Sequence, residues 1–287
     1  MNSWNRQEIV TLLQECGKIA LGFIDNLHPT YKSDHSIVTE ADDAVEQFLT
    51  EKLTAGDDNV FVIGEESFDS KPKEYLEQAL HSKTWIIDPI DGTALYAQKI
   101  PFWGTSVAFA KNGVIREGAI FIPGTGEMMV SDNGVVYYVQ DADACNCEDL
   151  YDKMKPMKTP KVELDRKGII NLSQRMTKKS MLNCENPIQA LCSCVYSSIL
   201  LATGRHMAYI MGARLWDIAG ALPCLKALGF YAHLPDGQNL LSLRLTPDVY
   251  ALNFNSPKAF STHAQAVVSV SEEISEAVEK YCGNLEV

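Results

Sequence analysis

The chain has 287 residues, 46% of them hydrophobic and 22% charged, and a formal net charge of −12. That is an ordinary soluble globular composition with ample material for a core. The charge excludes nucleic-acid binding through a general basic surface, and an anionic substrate needs metal ions or a local basic cluster to reverse the sign at the site.

No stretch approaches the ~18 apolar residues of a membrane span. The start, Met-Asn-Ser-Trp-Asn-Arg-Gln-Glu, lacks the basic-then-apolar order of a secretion signal, so a cytoplasmic location is expected. The cysteines are expected to be reduced. Two Cys-x-Cys pairs, Cys145/Cys147 and Cys192/Cys194, lack the spacing of a zinc site. Cys192 and Cys194 read as small hydrophobes within a helix.

In chain order, apolar residues at helical spacing (Ile9, Leu12, Leu13, Cys16, Ile19, Ala20) predict a helix over 6–26. Residues 28–38, with Pro29, Lys32, Ser33 and Asp34, read as a polar, mobile loop. Thr39, with an acid three residues on at Asp42, is expected to cap a second helix over 41–53. A short strand at 59–63 stops at Gly64-Glu65-Glu66-Ser67. After a helical connection, 84–88 reads as a buried strand ending in Asp88-Pro89-Ile90-Asp91-Gly92-Thr93, and 94–98 opens a helix. Segments near 104–110, 114–122, 126–130 and 135–139, with turn signals such as Asn112-Gly113 and Asn133-Gly134, predict an antiparallel meander.

At 141–166 acids give way to Lys153, Lys155, Lys158, Lys161 and Lys167. This shift divides the chain into an N-terminal α+β half, 1–150, and a C-terminal α/β half, 151–287. The second half is predicted as a strand at 168–172, a helix over 187–203, a strand at 206–210 and a helix over 217–228. Strands near 229–233 and 249–253 and a helix over 272–281 complete it. Mixed elements in two halves imply stacked layers of helix and sheet, an α+β class.

Acids stand at three stations: Glu65, Asp88 with Asp91, and Asp217 after Leu215-Trp216. Singly, each reads as a cap or turn residue. Together, like-charged carboxylates in one pocket raise one another's pKa, and divalent metal is the usual remedy. The amides that follow Asp91 at a helix start make a seat for phosphate. Gly124-Thr125-Gly126 follows a proline in a turn and lacks the later glycine of a nucleotide loop. The histidines are scattered, and His206 reads as structural.

Gly64-Glu65-Glu66-Ser67, Asp88-Pro89-Ile90-Asp91-Gly92-Thr93 and Trp216-Asp217-Ile218-Ala219-Gly220 resemble the three signatures of the inositol monophosphatase family. That family belongs to the magnesium-dependent, lithium-sensitive superfamily that also holds fructose-1,6-bisphosphatases and 3′-phosphoadenosine 5′-phosphate phosphatases. Val38-Thr39-Glu40-Ala41-Asp42 resembles its N-terminal helix start. The resemblance implies a layered α-β-α-β-α sandwich and a Mg²⁺-dependent phosphomonoesterase, homodimeric, acting on inositol monophosphate or a related sugar or polyol phosphate. Fructose 1,6-bisphosphate and 3′-phosphoadenosine 5′-phosphate are the rival substrates. A protein-binding regulator that keeps the fold is the alternative of another class.

By resemblance, Glu65, Asp88 and the Ile90 carbonyl hold one metal, while Asp88, Asp91 and Asp217 hold a second. Glu65 supports a third, so two to three Mg²⁺ per subunit are expected. Thr93, oriented by Asp42, positions the attacking water with Glu65, the Gly92 and Thr93 amides hold phosphate, and Lys32 matches a lysine on a closing loop. Two Mg²⁺ would offset the roughly −4 of four carboxylates and stabilise attacking and leaving oxygens, with no covalent enzyme intermediate. The acid that grips sugar hydroxyls in inositol-specific members falls at Ile210. Ser193 and Arg214 fall where other members contact substrate, and Arg214 suits a second anionic group.

Overall fold

Two capped helices open the chain and cover one face of a sheet. Arg6–Phe23 is capped by Asn5, whose side chain accepts from the Glu8 amide, and it buries Ile9, Val10, Leu13, Cys16 and Ala20 along one stripe. Glu40–Thr54 begins where Asp42 Oδ2 accepts from the Thr39 amide at 2.9 Å and hydroxyl at 2.6 Å. The computed structural model describes all residues except 2, 33–35, 56, 143–149, 180–181, 255, 257 and 283–287. Ser33 and Asp34 of the expected loop, and the pair Cys145/Cys147, therefore lie outside the described residues.

The sheet beneath these helices has seven strands in the order Val60–Gly64, Lys83–Asp91, Gly104–Lys111, Val114–Ile122, Glu127–Asp132, Val135–Val139, Lys155–Pro156. The first pair is parallel and every other pair is antiparallel. A second sheet of five strands runs Ile188–Gln189, Ile170–Leu172, Ala208–Met211, Ala266–Ser269, Tyr231–His233.

Three apolar clusters stack these parts into layers. Outer helices meet the large sheet through Ile9, Val45, Trp85 and Ile87. Middle helices Cys194–Ala202, Leu215–Ala219 and Leu222–Ala227 fill the space between the sheets, packing Ile199, Trp216 and Leu222 among Ile86, Ile120, Tyr209 and Val268. Helices Gln174–Lys179 and Glu272–Glu279 close the far face with Met176, Ile274 and Val278 on Ile170, Ile210 and Val267. The order is helix, sheet, helix, sheet, helix, as the family resemblance implies. Among the described residues no helix is long and apolar enough to cross a membrane.

Several expected elements are corrected. The helix expected over 187–203 is confined to Cys194–Ala202, because Ile188–Gln189 pairs as an edge strand and Ser193 caps the helix by accepting from the Tyr196 amide. Cys192 is accordingly exposed and outside the helix. The helix expected over 217–228 is two, and the first begins earlier, at Leu215, so Asp217 lies within its first turn rather than at its start. Pro223 sits in the first turn of the second, where its missing donor is tolerated but a continuous helix is not. Among the described residues 249–253 forms no strand, only an isolated bridge from Tyr250 to Thr262. The strand expected to stop at Asp88 runs on to Asp91 through an irregular step in its pairing with Gly104–Lys111.

Glycine closes the seam between the middle helices and the large sheet. A Cβ on Gly118 would stand 2.4 Å from the Gly220 carbonyl oxygen, and one on Gly220 would stand 2.6 Å from that of Ala119. Ser106 locks the contact, donating to the Trp216 carbonyl at 3.0 Å and accepting from the Gly220 amide at 3.2 Å. Gly220→Ala must part backbone from backbone, at a cost of about 1–3 kcal/mol in urea unfolding. It is also expected to displace Asp217, which the helix Leu215–Ala219 carries. An alanine variant with unaltered stability would show the seam to be deformable.

Candidate metal centre

Parallel register brings the first two acids together. Gly64 stands opposite Ile87, and the pairing continues as the Glu65 amide donates to the Ile87 carbonyl at 3.1 Å, so Glu65 emerges beside Asp88. Trp85 and Ile87 face the outer helices while Ile63 and Ile86 face the middle ones. Strand alternation therefore aims Glu65 and Asp88 at the middle layer. Asp88 lies across from Ser106, the residue that holds the Trp216 carbonyl, which sets the Asp217 helix over it. One carboxylate oxygen each from Glu65, Asp88 and Asp217 lies within 4.8 Å of the others.

Asp88 is 1% exposed, and neither of its side-chain oxygens has a hydrogen-bond partner. Burial pushes its pKa well above the ordinary carboxylate value, and Glu65, Asp91, Asp217 and Asp42 push in the same direction. Asp217 is raised likewise by burial, Asp91 and Glu65, against the Arg214 amide, which donates to its Oδ2 at 2.9 Å. Asp91 reaches only about 6, since bonds from Ser193 and the Val195 amide oppose burial. An orphaned carboxylate facing two further oxygen donors fits a hard divalent cation such as Mg²⁺.

The remaining expected residues surround this cluster. Thr93 Oγ1 lies 2.9 Å from the Ile90 carbonyl and 3.1 Å from Asp42 Oδ1. Asp42 is fully buried, and burial raises its pKa to about 6 against bonds from Thr39. Gly92 adopts φ +88, and a Cβ there would press to 3.1 Å on the Cys192 carbonyl and Ser193 Cβ, so glycine is required before Thr93–Ala97. Lys32 lies 3.3 Å from Glu65 and 2.7 Å from Glu66. Burial would lower its pKa, but these two acids outweigh it and raise it. Glu66 rises to about 8, because burial and Glu65 outweigh Lys32.

Ser193, expected at the substrate, is 2% exposed and gives its hydroxyl to Asp91. Arg214 is half-buried, its guanidinium 5.4 Å from the Trp216 ring centre and 5.9 Å from that of Phe68. Ile210 is fully buried in the far layer. Sequence reasoning missed Glu46, 4% exposed, whose Oε2 accepts from the Glu66 amide at 2.9 Å and whose carboxyl fills the space beside Gly64. Its signal was an acid on the buried stripe of Glu40–Thr54.

The family model for the inositol monophosphatase family matches residues 7–272. Human inositol monophosphatase 1 is 30% identical over 221 residues, covering 74% of this chain and 76% of that protein. The Nus factor SuhB of Xylella fastidiosa is 24% identical over 229 residues, covering 78% and 79%. Among solved structures, an IMPase/NADP phosphatase complexed with Mg²⁺ and phosphate has a TM-score of 0.73 at 16% identity, covering 98% of this chain and 97% of that one.

Proposed function

Because the chain belongs to the inositol monophosphatase family, we propose that it hydrolyses the phosphomonoester of a small sugar or polyol, inositol monophosphate or a close relative, with Mg²⁺. The observation that carries this reading is Asp88, buried and without a partner where Glu65 and Asp217 converge. In this reading Glu65, Asp88 and the Ile90 carbonyl hold one ion, Asp88, Asp91 and Asp217 hold a second, and Glu65 supports a third. Bound Mg²⁺ supplies Lewis-acid charge neutralisation at the phosphoryl group.

The chain's own residues do the rest. Thr93 donates its proton towards Asp42 or the Ile90 carbonyl, which leaves its lone pairs to hold a water hydrogen, and Glu65 takes the other side of that water. Amides of Gly92 and Thr93 bind phosphate oxygens at the helix start, and Lys32 and Arg214 border the substrate. The first half, 1–150, brings most metal ligands, and 151–287 brings Asp217 and the specificity residues. A cytoplasmic homodimer completes the reading.

The test is a phosphate-release screen over inositol phosphates, fructose 1,6-bisphosphate, 3′-phosphoadenosine 5′-phosphate and histidinol phosphate, with and without Mg²⁺. Release that needs Mg²⁺ and falls when Li⁺ is added is expected for at least one of these, and silence on all of them refutes the reading. Similarity to a Nus factor raises a protein-binding role as the second reading. The complete set of acids favours the enzyme, since a pure binding module has no use for a buried unpaired carboxylate.

A further inference from the structure

We infer that Ser193 is a positioning residue for the cation seat, fixing which oxygen of Asp91 a metal ion meets; this rests on the metal reading above. Asp91 Oδ2 receives the Ser193 hydroxyl at 2.5 Å and the Val195 amide at 2.9 Å. The Ser193 hydroxyl cannot turn away freely, because its oxygen also accepts from the Tyr196 amide at 3.1 Å as the cap of Cys194–Ala202. With its lone pair engaged by the helix, its proton is directed to Asp91.

Both donors converge on Oδ2, and the Cys194 amide also donates to this carboxylate; Oδ1 is the oxygen assigned to the ion. Asp91 ends a strand of the large sheet, whereas Ser193 opens a middle-layer helix 102 residues later. Ser193 thereby sets, with the amides of the helix start, the rotation of a carboxylate carried by a different element. Close packing keeps the pair in place, since Ser193 Cβ lies 3.1 Å from where a Cβ on Gly92 would be. A buried hydroxyl that already donates once and accepts once has little left for a substrate. The residue therefore acts through Asp91.

Partners that orient a metal ligand typically contribute ten- to a hundredfold to metal affinity. The experiment titrates Mg²⁺ alone, without substrate, into wild-type protein and into Ser193→Ala, Ser193→Thr and Ser271→Ala, following thermal stability or heat. Ser193→Ala is expected to weaken Mg²⁺ binding about tenfold or more, and Ser193→Thr, which keeps the hydroxyl, to restore it. Ser271 caps Glu272–Glu279 on the far layer, so its loss removes a comparable cap without touching Asp91. It should leave the Mg²⁺ midpoint where it was. If Ser193→Ala does not fold, Ser193→Gly removes the hydroxyl while retaining a good capping residue.

Wild-type Mg²⁺ affinity in Ser193→Ala overturns the assignment, as does a threonine variant as weak as alanine, or equal shifts from Ser193→Ala and Ser271→Ala. A wild-type protein indifferent to Mg²⁺ overturns the metal reading and this inference with it. A responsive wild type beside an unaffected Ser193→Ala overturns this inference alone.

Discussion

Asparagine at position 88 is expected to silence Mg²⁺-dependent phosphate release and also to make the metal-free protein harder to unfold. Both effects follow from one carboxylate, buried to 1% and without a hydrogen-bond partner. Losing a group that holds charge-stabilising machinery at the reacting centre costs at least about a hundred- to thousandfold in turnover. Replacing a buried acid that must either carry an unpaired charge or hold a proton the unfolded chain has released, while keeping the shape, stabilises the fold by about 1–3 kcal/mol, a melting-point rise of several degrees.

Asp91→Asn provides the contrast. It is expected to abolish activity as well, but with a smaller gain in stability, because the Oδ2 bonds from Ser193 and Val195 offset part of that carboxylate's burial. Parallel assays of phosphate release and metal-free melting would decide. Retained turnover in Asp88→Asn, or a lower melting point, contradicts the assignment.

Metal-free protein should lose stability as pH rises, and Mg²⁺ should restore it most strongly at high pH. Asp42 and Asp91 are raised from 3.8 to about 6. The native state therefore keeps protons that the unfolded chain has already released, so stability falls with rising pH between roughly 4 and 6. Asp88 and Asp217, raised well above their ordinary value by burial and by Glu65 and Asp91, add to the loss. One pKa unit corresponds to about 1.4 kcal/mol, so Asp42 and Asp91 alone contribute several kcal/mol. A divalent cation bound to the ionised acids is expected to reverse the loss. The Mg²⁺-induced shift in melting temperature is expected to be small near pH 5 and large near pH 8. Equal shifts at both, or a metal-free protein that gains stability across this range, would be incompatible with buried, uncompensated acids.

Local pattern made the converging acids legible. Glu65 and Asp88 each terminate an apolar run, and a buried strand that ends in acids is a sequence-level anomaly whether or not its pairing is known. The first two helices and the antiparallel meander were legible for the same reason, since period and turn residues are written within each element. What escaped depends on partners distant in the chain. Ile188–Gln189 has no strand signature and pairs only because Ile170–Leu172 lies alongside. Glu46 looks like a surface acid until Gly64 leaves room for its carboxyl. Ser193 reads as a loop hydroxyl until the fold brings it to Asp91. Apolar continuity also concealed the break between Leu215–Ala219 and Leu222–Ala227.

The parallel pairing of Val60–Gly64 with Lys83–Asp91 has a further consequence. Successive side chains in a strand point to opposite sides, so removing a single residue between Lys83 and Ile87 would turn Asp88 over, into the layer occupied by Trp85 and Ile9. The odd-even count of the strand thus constrains this protein as firmly as its acids do. Apolar residues there can be exchanged for one another, but length can change only in steps of two.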